Sequence, residues 1–287
     1  MLKNYLKIGW RNLWKNKTSS FINIFGLTLG ISVCVAILIF VQYESSFDAY
    51  HGKSAETFRV VQHTNFPNET LYWNTTAYPL AEALRNDFPE IDLVTQISGP
   101  VSRVFKVQDD VGNENLFEEP QVLFVDPYYP KTFDVKWLAG DKNTALNEMN
   151  SVVLTEILAQ KYFGISKGAY QSILGKTVLL QSKDPLTITG VVENPPGNSD
   201  HQYKMLVPYE FFKVNNTYFS SNWSGNYQGT TFVVLNHPQA GKKLEAKIDN
   251  WKKKYLNTQD DKRISYQLQP LKEIHNETLY GPSPGVT

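Results

Sequence analysis

Between Phe21 and Tyr43 the sequence runs FINIFGLTLGISVCVAILIFVQY, 23 residues without a charged side chain. About 20 such residues cross a hydrocarbon core of roughly 30 Å. Lipid offers backbone N–H and C=O groups no partner, so the run must close its hydrogen bonds on itself as a helix. Lys3, Lys7, Arg11, Lys15 and Lys17 precede it, whereas Glu44 and Asp48 follow it. The positive-inside rule then places the N-terminus in the cytoplasm and residues 44–287 on the other side of a plasma membrane. A cleaved signal peptide has an apolar region of only about 7–15 residues and a small-residue cleavage site after it. Neither is present. Ile31-Ser32-Val33-Cys34 faintly resembles a lipid-attachment box, but Val33 is bulky where a small residue is needed and the apolar run continues past it.

The flanking sequence adds two surfaces. Lys3, Lys7, Arg11 and Lys15 recur every fourth residue in MLKNYLKIGWRNLWK, with Leu2, Leu6, Trp10, Leu13 and Trp14 between them. That spacing gives a basic amphipathic helix over residues 1–20, whose tryptophans suit the headgroup boundary and whose cations suit anionic lipid. A plain topology signal explains the same charges. Within the span, Gly26 and Gly30 form a GxxxG spacing that lets a second membrane helix approach closely, although glycine is common in membrane helices anyway.

Charge and composition exclude several function classes. The formal net charge is zero, yet residues 1–20 hold five bases and no acid, so the rest of the chain carries an excess of five acids. A mildly acidic domain without a Lys/Arg cluster has no electrostatic footprint for nucleic acid. The one cysteine, Cys34, lies in the apolar run, so the domain beyond it forms no internal disulfide. His51, His63, His201, His237 and His275 are scattered singly, and no pair has the spacing of a zinc site.

Beyond the membrane segment the pattern predicts an α+β domain. Thr57–His63 reads as a strand, Ala77–Phe88 as an amphipathic helix and Ile91–Ile97 as a strand; Tyr203–Val207, Thr231–Leu235 and Arg263–Gln269 read as further strands, with a helix over Gln239–Tyr255. Two β-α-β units of this kind make a ferredoxin-like, porter-type lobe, here over residues 56–100 and 203–275. Residues 101–202 form an inserted mixed lobe with a hairpin around Asp109-Asp110-Val111-Gly112-Asn113, a helix Thr155–Tyr162 closed by Phe163-Gly164, and strands Lys176–Gln181 and Leu186–Val192. Pro195-Pro196-Gly197-Asn198 returns the chain to the first lobe. The domain thus covers residues 44–275, and 276–287 reads as a stalk.

No arrangement of residues points to catalysis or a cofactor. Gly-x-Ser-x-Gly is absent, and Ser224 lacks a strand–elbow–helix setting. Gly175-Lys176-Thr177 has the end of a phosphate loop without its earlier glycine, since Tyr170 stands there, and it opens a strand. The pairs Asp109/Asp110, Glu118/Glu119 and Asp260/Asp261 fall in predicted loops, where solvated surface accounts for them. The expectation is a protein that is not an enzyme.

Several long segments taken together resemble one family. YLKIGWRNLWKNKTSSFINIFGLTLGI near the N-terminus, SVVLTEILAQKYFG at Ser151–Gly164, ITGVVENPPGNSDHQYKMLVP at Ile188–Pro208 and LQPLKEIH at Leu268–His275 are similar, in order, to MacB-type ABC transporter permeases with a periplasmic core domain, relatives of the FtsX and lipoprotein-export permeases. The resemblance implies a dimeric permease of the bacterial inner membrane, worked by a cytoplasmic ATPase partner, with a periplasmic adaptor or outer-membrane exit protein as further partner and export or efflux as its task. It implies that the basic helix lies near the ATPase and that this chain binds no nucleotide. Such permeases have at least three more membrane helices after the domain, and this chain stops at Thr287, so the expectation is a truncated or split permease half. A single-pass membrane-anchored binding or scaffold protein is the alternative.

Overall fold

The computed structural model describes residues 2–108, 112–214, 221–223 and 229–280, apart from the side chains of Leu2, Lys3 and Leu6. Asp109, Asp110, Val111, Ser224 and the predicted stalk from Gly281 lie outside them. The chain separates into two compact units, one ending at Ser46 and the other starting at Phe47.

The first unit is two helices, α1 (Leu2–Lys15) and α2 (Lys17–Glu44). Asn16 breaks them, with φ −115° and ψ 58° outside the helical region, while its N–H still reaches Asn12 O at 3.1 Å and its C=O accepts from Ser20 N at 2.9 Å. α2 therefore starts four residues before the charge-free run, because nothing in Lys17-Thr18-Ser19-Ser20 opposes a helix. It is long and apolar enough to cross a membrane, and none of its residues is buried by the rest of the chain. An all-apolar helix left bare in this way matches a lipid surrounding, which fits a membrane-anchored protein. Its polar Ser32 Oγ donates to Thr28 O one turn back at 2.8 Å, so its hydroxyl is satisfied within the helix.

The second unit is an α+β domain on a single sheet. Its first strands are β1 (Thr57–Asn65) and β2 (Thr70–Trp73), followed by α3 (Leu80–Asp87) and the long pair β3 (Ile91–Gln108) and β4 (Glu114–Val125). Then come α4 (Tyr129–Thr132), β5 (Trp137–Gly140), β6 (Ser151–Thr155), α5 (Glu156–Phe163), β7 (Thr177–Leu180) and β8 (Asp184–Val192). β9 (Met205–Pro208), α6 (Tyr209–Val214), β10 (Gly229–Leu235), α7 (Gly241–Trp251), α8 (Thr258–Arg263) and β11 (Ile264–Pro270) complete it. The strand order is β11-β1-β10-β3-β4-β9-β6-β8-β5, with β2 beside β1 and β7 between β3 and β8.

At one end β11, β1, β10 and the first half of β3 are all antiparallel neighbours. α3 connects β1 toward β3 and α7 connects β10 toward β11, so each helix crosses a strand from the other half, the connectivity of a split β-α-β unit. Both helices turn their apolar stripe to this end: Leu80 and Leu84 of α3 and Leu244 and Ile248 of α7 pack with Phe58, Val60 and Val233. A second cluster, including Phe105, Phe124, Leu154, Leu158, Ile188 and Met205, fills the other end. Between the two lies a third, with Leu123, Tyr129, Phe133, Phe232 and Ile274.

Three differences from the sequence reading have local causes. β3 does not stop at Ile97. Gly99, at φ +104°, and Pro100 fall where the register to β4 slips, and pairing resumes from Val101↔Val122 to Gln108↔Glu114. α3 starts three residues late, because Thr76 N donates to Gly229 O at 2.7 Å and pins the approach to β10. α7 spans only Gly241–Trp251 and is flanked by 3-10 turns at Pro238–Ala240 and Lys252–Lys254. The strands β2, β5 and β6 were not foreseen. Hydrogen bonding is continuous from β11 to β5, with β3 and β4 running through both ends of the sheet.

Candidate functional site

The candidate residues from the sequence lie on the first unit. Along α1, Lys7, Arg11 and Lys15 advance by four residues at a time and so drift slowly round one side, with Trp10 and Trp14 one step behind. Lys3 belongs to the same series, its side chain outside the described residues. Trp10 and Trp14 are exposed, and the Lys17 ammonium sits 5.3 Å from the Trp14 ring centroid, across the break at Asn16. The indole face is thereby drawn toward a cation at the start of α2. Gly26 and Gly30 share one face of α2, and a Cβ added at either would meet nothing within 4 Å. Cys34 is a free, exposed thiol on the same helix.

No candidate in the second unit is visible from residue spacing, yet the fold assembles a buried polar knot there from three distant segments. Asp48 lies in the stretch that follows the membrane helix and has a left-handed backbone at φ 51°. Its N–H donates to Asn198 O at 3.1 Å. Its carboxylate accepts Ser199 Oγ at 2.6 Å and Asp200 N at 3.2 Å, and His51 Nε2 stands 3.7 Å away. Burial alone would push the Asp48 carboxyl up; the donors around it outweigh that and hold it below the usual carboxylate range. Asp200, also buried, is pushed up by desolvation despite the His275 Nδ1 contact at 2.8 Å. The His275 ring in turn stacks on Phe47, 3.4 Å between centroids.

The knot extends into the sheet. Arg59 on β1 is fully buried, and its Nε and Nη2 both donate to Gln269 Oε1 on β11, at 3.0 and 2.6 Å. Desolvation lowers its guanidinium to about 10, with Asp200 acting the other way. Four residues further along β1, His63 Nε2 pairs with Tyr280 OH at 2.9 Å. Residues 47–51, 198–201 and 269–280 are thus held to one another and to β1. Three of the five scattered histidines, His51, His201 and His275, meet here. Among the described residues no set of three or more His, Cys, Asp or Glu side chains is placed to hold a metal ion.

His201 is packed between rings, 4.2 Å from Phe133 and 5.0 Å from Phe232 by centroid, and burial lowers it to about 4 from an ordinary 6.5. It is neutral at pH 7. The unfolded chain binds this proton below pH 6.5 and the folded one only near 4, so stability falls as the pH drops through that window. We expect a loss of about 3 kcal/mol between pH 7 and 4 from this group, read as a decline in urea midpoint that His201→Phe flattens. An unchanged slope in that variant would assign the acid sensitivity elsewhere.

Two concavities flank the sheet's centre. A cleft of 730 Å³ is walled by α3, β3 and α6. In it Asp126 is already satisfied by Arg85 Nη1 at 2.8 Å, Thr95 Oγ1 at 2.6 Å and Gln96 N at 3.1 Å, which makes that group a brace between α3 and the sheet. A second cavity of 350 Å³ opens beside the knot, among Tyr50, Tyr129, Phe133, Tyr203 and the two prolines Pro195 and Pro196.

Comparison with known proteins gives two findings. Residues 20–251 match the family described as MacB-like periplasmic core domain. The chain is similar in structure to a crystallised domain, described as part of a possible permease, from Porphyromonas gingivalis, with a TM-score of 0.65, 21% sequence identity, and coverage of 77% of this chain and 91% of that one. At that identity the likeness speaks for the fold. No curated protein sequence matches significantly.

Proposed function

The chain belongs to the MacB-like periplasmic core domain family, and from that premise we propose that it is a permease subunit of an ABC transporter whose large domain relays conformational change driven by a cytoplasmic ATPase, in the service of export. The observation that carries this reading is the polar knot. The residues that follow the membrane helix, Phe47 to His51, are tied through Asp48, Ser199, Asp200 and His275 to the core and to the segment that leaves it. A displacement of the membrane helix would reach the sheet through these buried, hydrogen-bonded groups. A flexible linker would dissipate it.

In this proposal the N-terminus is cytoplasmic, the domain is periplasmic, and the sheet serves as two lobes sharing β3 and β4. The protein works with a second permease copy and catalyses nothing itself. α1 lies on the inner leaflet next to the ATPase, with Trp10 and Trp14 at headgroup level and its cations on anionic lipid.

The test is the double variant Lys7→Glu/Arg11→Glu in an intact permease carrying this segment. Each basic residue near an anionic surface contributes about 1 kcal/mol, so the lost attractions alone weaken attachment by about 2 kcal/mol. ATPase stimulation by the permease should fall several-fold with membrane orientation kept. Full stimulation with normal orientation would reduce the stripe to a topology signal, and failure to recover any ATPase with the membrane-purified protein would favour an anchored scaffold.

A further inference from the structure

β11 ends the sheet, with β1 on one side and, among the described residues, no strand on the other. An edge of this kind presents a row of backbone N–H and C=O groups to any extended chain. The register to β1 runs without a slip from Phe58↔Pro270 to Thr64↔Ile264, so the outward groups belong to alternate residues. Leu268 identifies the set. Its N–H donates to Glu245 Oε1 of α7 at 2.7 Å and therefore points away from β1. Ile264, Tyr266 and Pro270 share that direction.

Side chains and caps from the two neighbouring helices occupy this row. Besides the Leu268 contact, the Ile264 C=O accepts Lys252 Nζ, one residue past α7, at 2.6 Å. The Ile264 N–H donates to Asp260 O of α8, and Pro270 has no N–H to offer. Lys252 is buried, and Asp249 Oδ1 holds its ammonium at 2.6 Å. A lysine is seldom buried unless its charge is paired, and solubility alone is served by the exposed Lys253 and Lys254 beside it.

The two groups that Glu245 and Lys252 hold are complementary to each other. When the β11 strands of two copies are set antiparallel, edge to edge, about a two-fold axis at Tyr266, the two Tyr266 residues exchange both of their hydrogen bonds. Leu268 N–H of each copy then meets Ile264 C=O of the other. We propose that the outer edge of β11 is a self-complementary joining surface for a second copy of this chain, and that Glu245 and Lys252 keep it shut. The surface stands independently of any role in transport.

The experiment uses the full chain in detergent, with Cys34→Ser, in two versions that carry either Ser265→Cys or Gln267→Cys. About the two-fold axis these positions face each other as a non-hydrogen-bonded pair, with Cα atoms about 4.5 Å apart, a separation that a disulfide spans. Mixed under mild oxidation, chains with both guards should cross-link little. Glu245→Ala/Lys252→Met in both versions should raise the mixed cross-link about tenfold. Glu245→Gln alone, whose amide oxygen still accepts from Leu268, should leave it at the starting level. If the double variant does not fold, Glu245→Ala alone decides, with a smaller rise expected. No rise in a folded variant, a cross-link already as strong with both guards present, or equal cross-linking of Gln267→Cys chains with one another, which breaks the register at Tyr266, would overturn the proposal.

Discussion

Gln269→Leu is expected to lower the unfolding free energy of the folded domain by about 4 kcal/mol, because it leaves the buried Arg59 guanidinium without the amide oxygen that takes two of its N–H groups. Arg59 is fully buried and Nη1 already lacks a hydrogen-bond partner, and Asp200 acts on the guanidinium only through its charge. The cost lies in stranding a cation, not in losing the contact itself. Arg59→Met should therefore be far milder, and the double variant Arg59→Met/Gln269→Leu should recover most of the stability lost in Gln269→Leu. Urea unfolding followed by tryptophan fluorescence measures all three. Additive losses in the double variant would show that the two side chains act separately, against the geometry.

An effect of similar size is expected at Gly140. This residue ends β5 at φ +87° and lies opposite Gly190 of β8. A Cβ there would collide with the backbone of Thr189 and Gly190, atoms that no rotamer change can move. Left-handed strain and overpacking each cost about 1–3 kcal/mol, so Gly140→Ala should destabilise by roughly 4 kcal/mol in the same unfolding assay. Gly190→Ala meets the ring of Trp137, 2.5 Å from its Cζ3, a side chain and not backbone. The smaller loss there is the internal control. Equal losses at both positions would point to the pairing of β5 with β8, and not the backbone collision, as the source.

How much of this was legible in the sequence follows from the range over which each feature is determined. α2 announces itself in contiguous apolar residues. α5 is equally local, closed by Gly164 in the left-handed conformation at φ 61°. The order β11-β1-β10-β3 could be anticipated from the alternation of strands and helices, since crossover connections leave few arrangements. The length of β3 could not. Gly99-Pro100 reads as a break, and only pairing with β4 on the far side carries the strand through it. The knot was invisible for a different reason. Asp48, Ser199, Asp200 and His275 come from three segments with no common spacing, and their one local hint is a cluster of polar residues, Asn198 to His201, beside two prolines and between apolar strands. The candidates on α1 were legible as a pattern, because helical periodicity alone places Lys7, Arg11 and Lys15 together.

The position of β1 sets the order in which this protein can come together on the ribosome. β1 lies between β10 and β11 in the sheet, yet these neighbours begin only at Gly229 and Ile264. Until residue 235 has been synthesised Thr57–Val60 lack their β10 partners, and until residue 270 the other side of β1 lacks β11. Sheets closed by such distant pairings form slowly, and their unpaired strands invite association with other chains meanwhile. The nascent domain must therefore wait with an open apolar strand. Crowding many copies on one stretch of membrane during synthesis would make strand exchange between neighbouring chains the characteristic failure of its assembly.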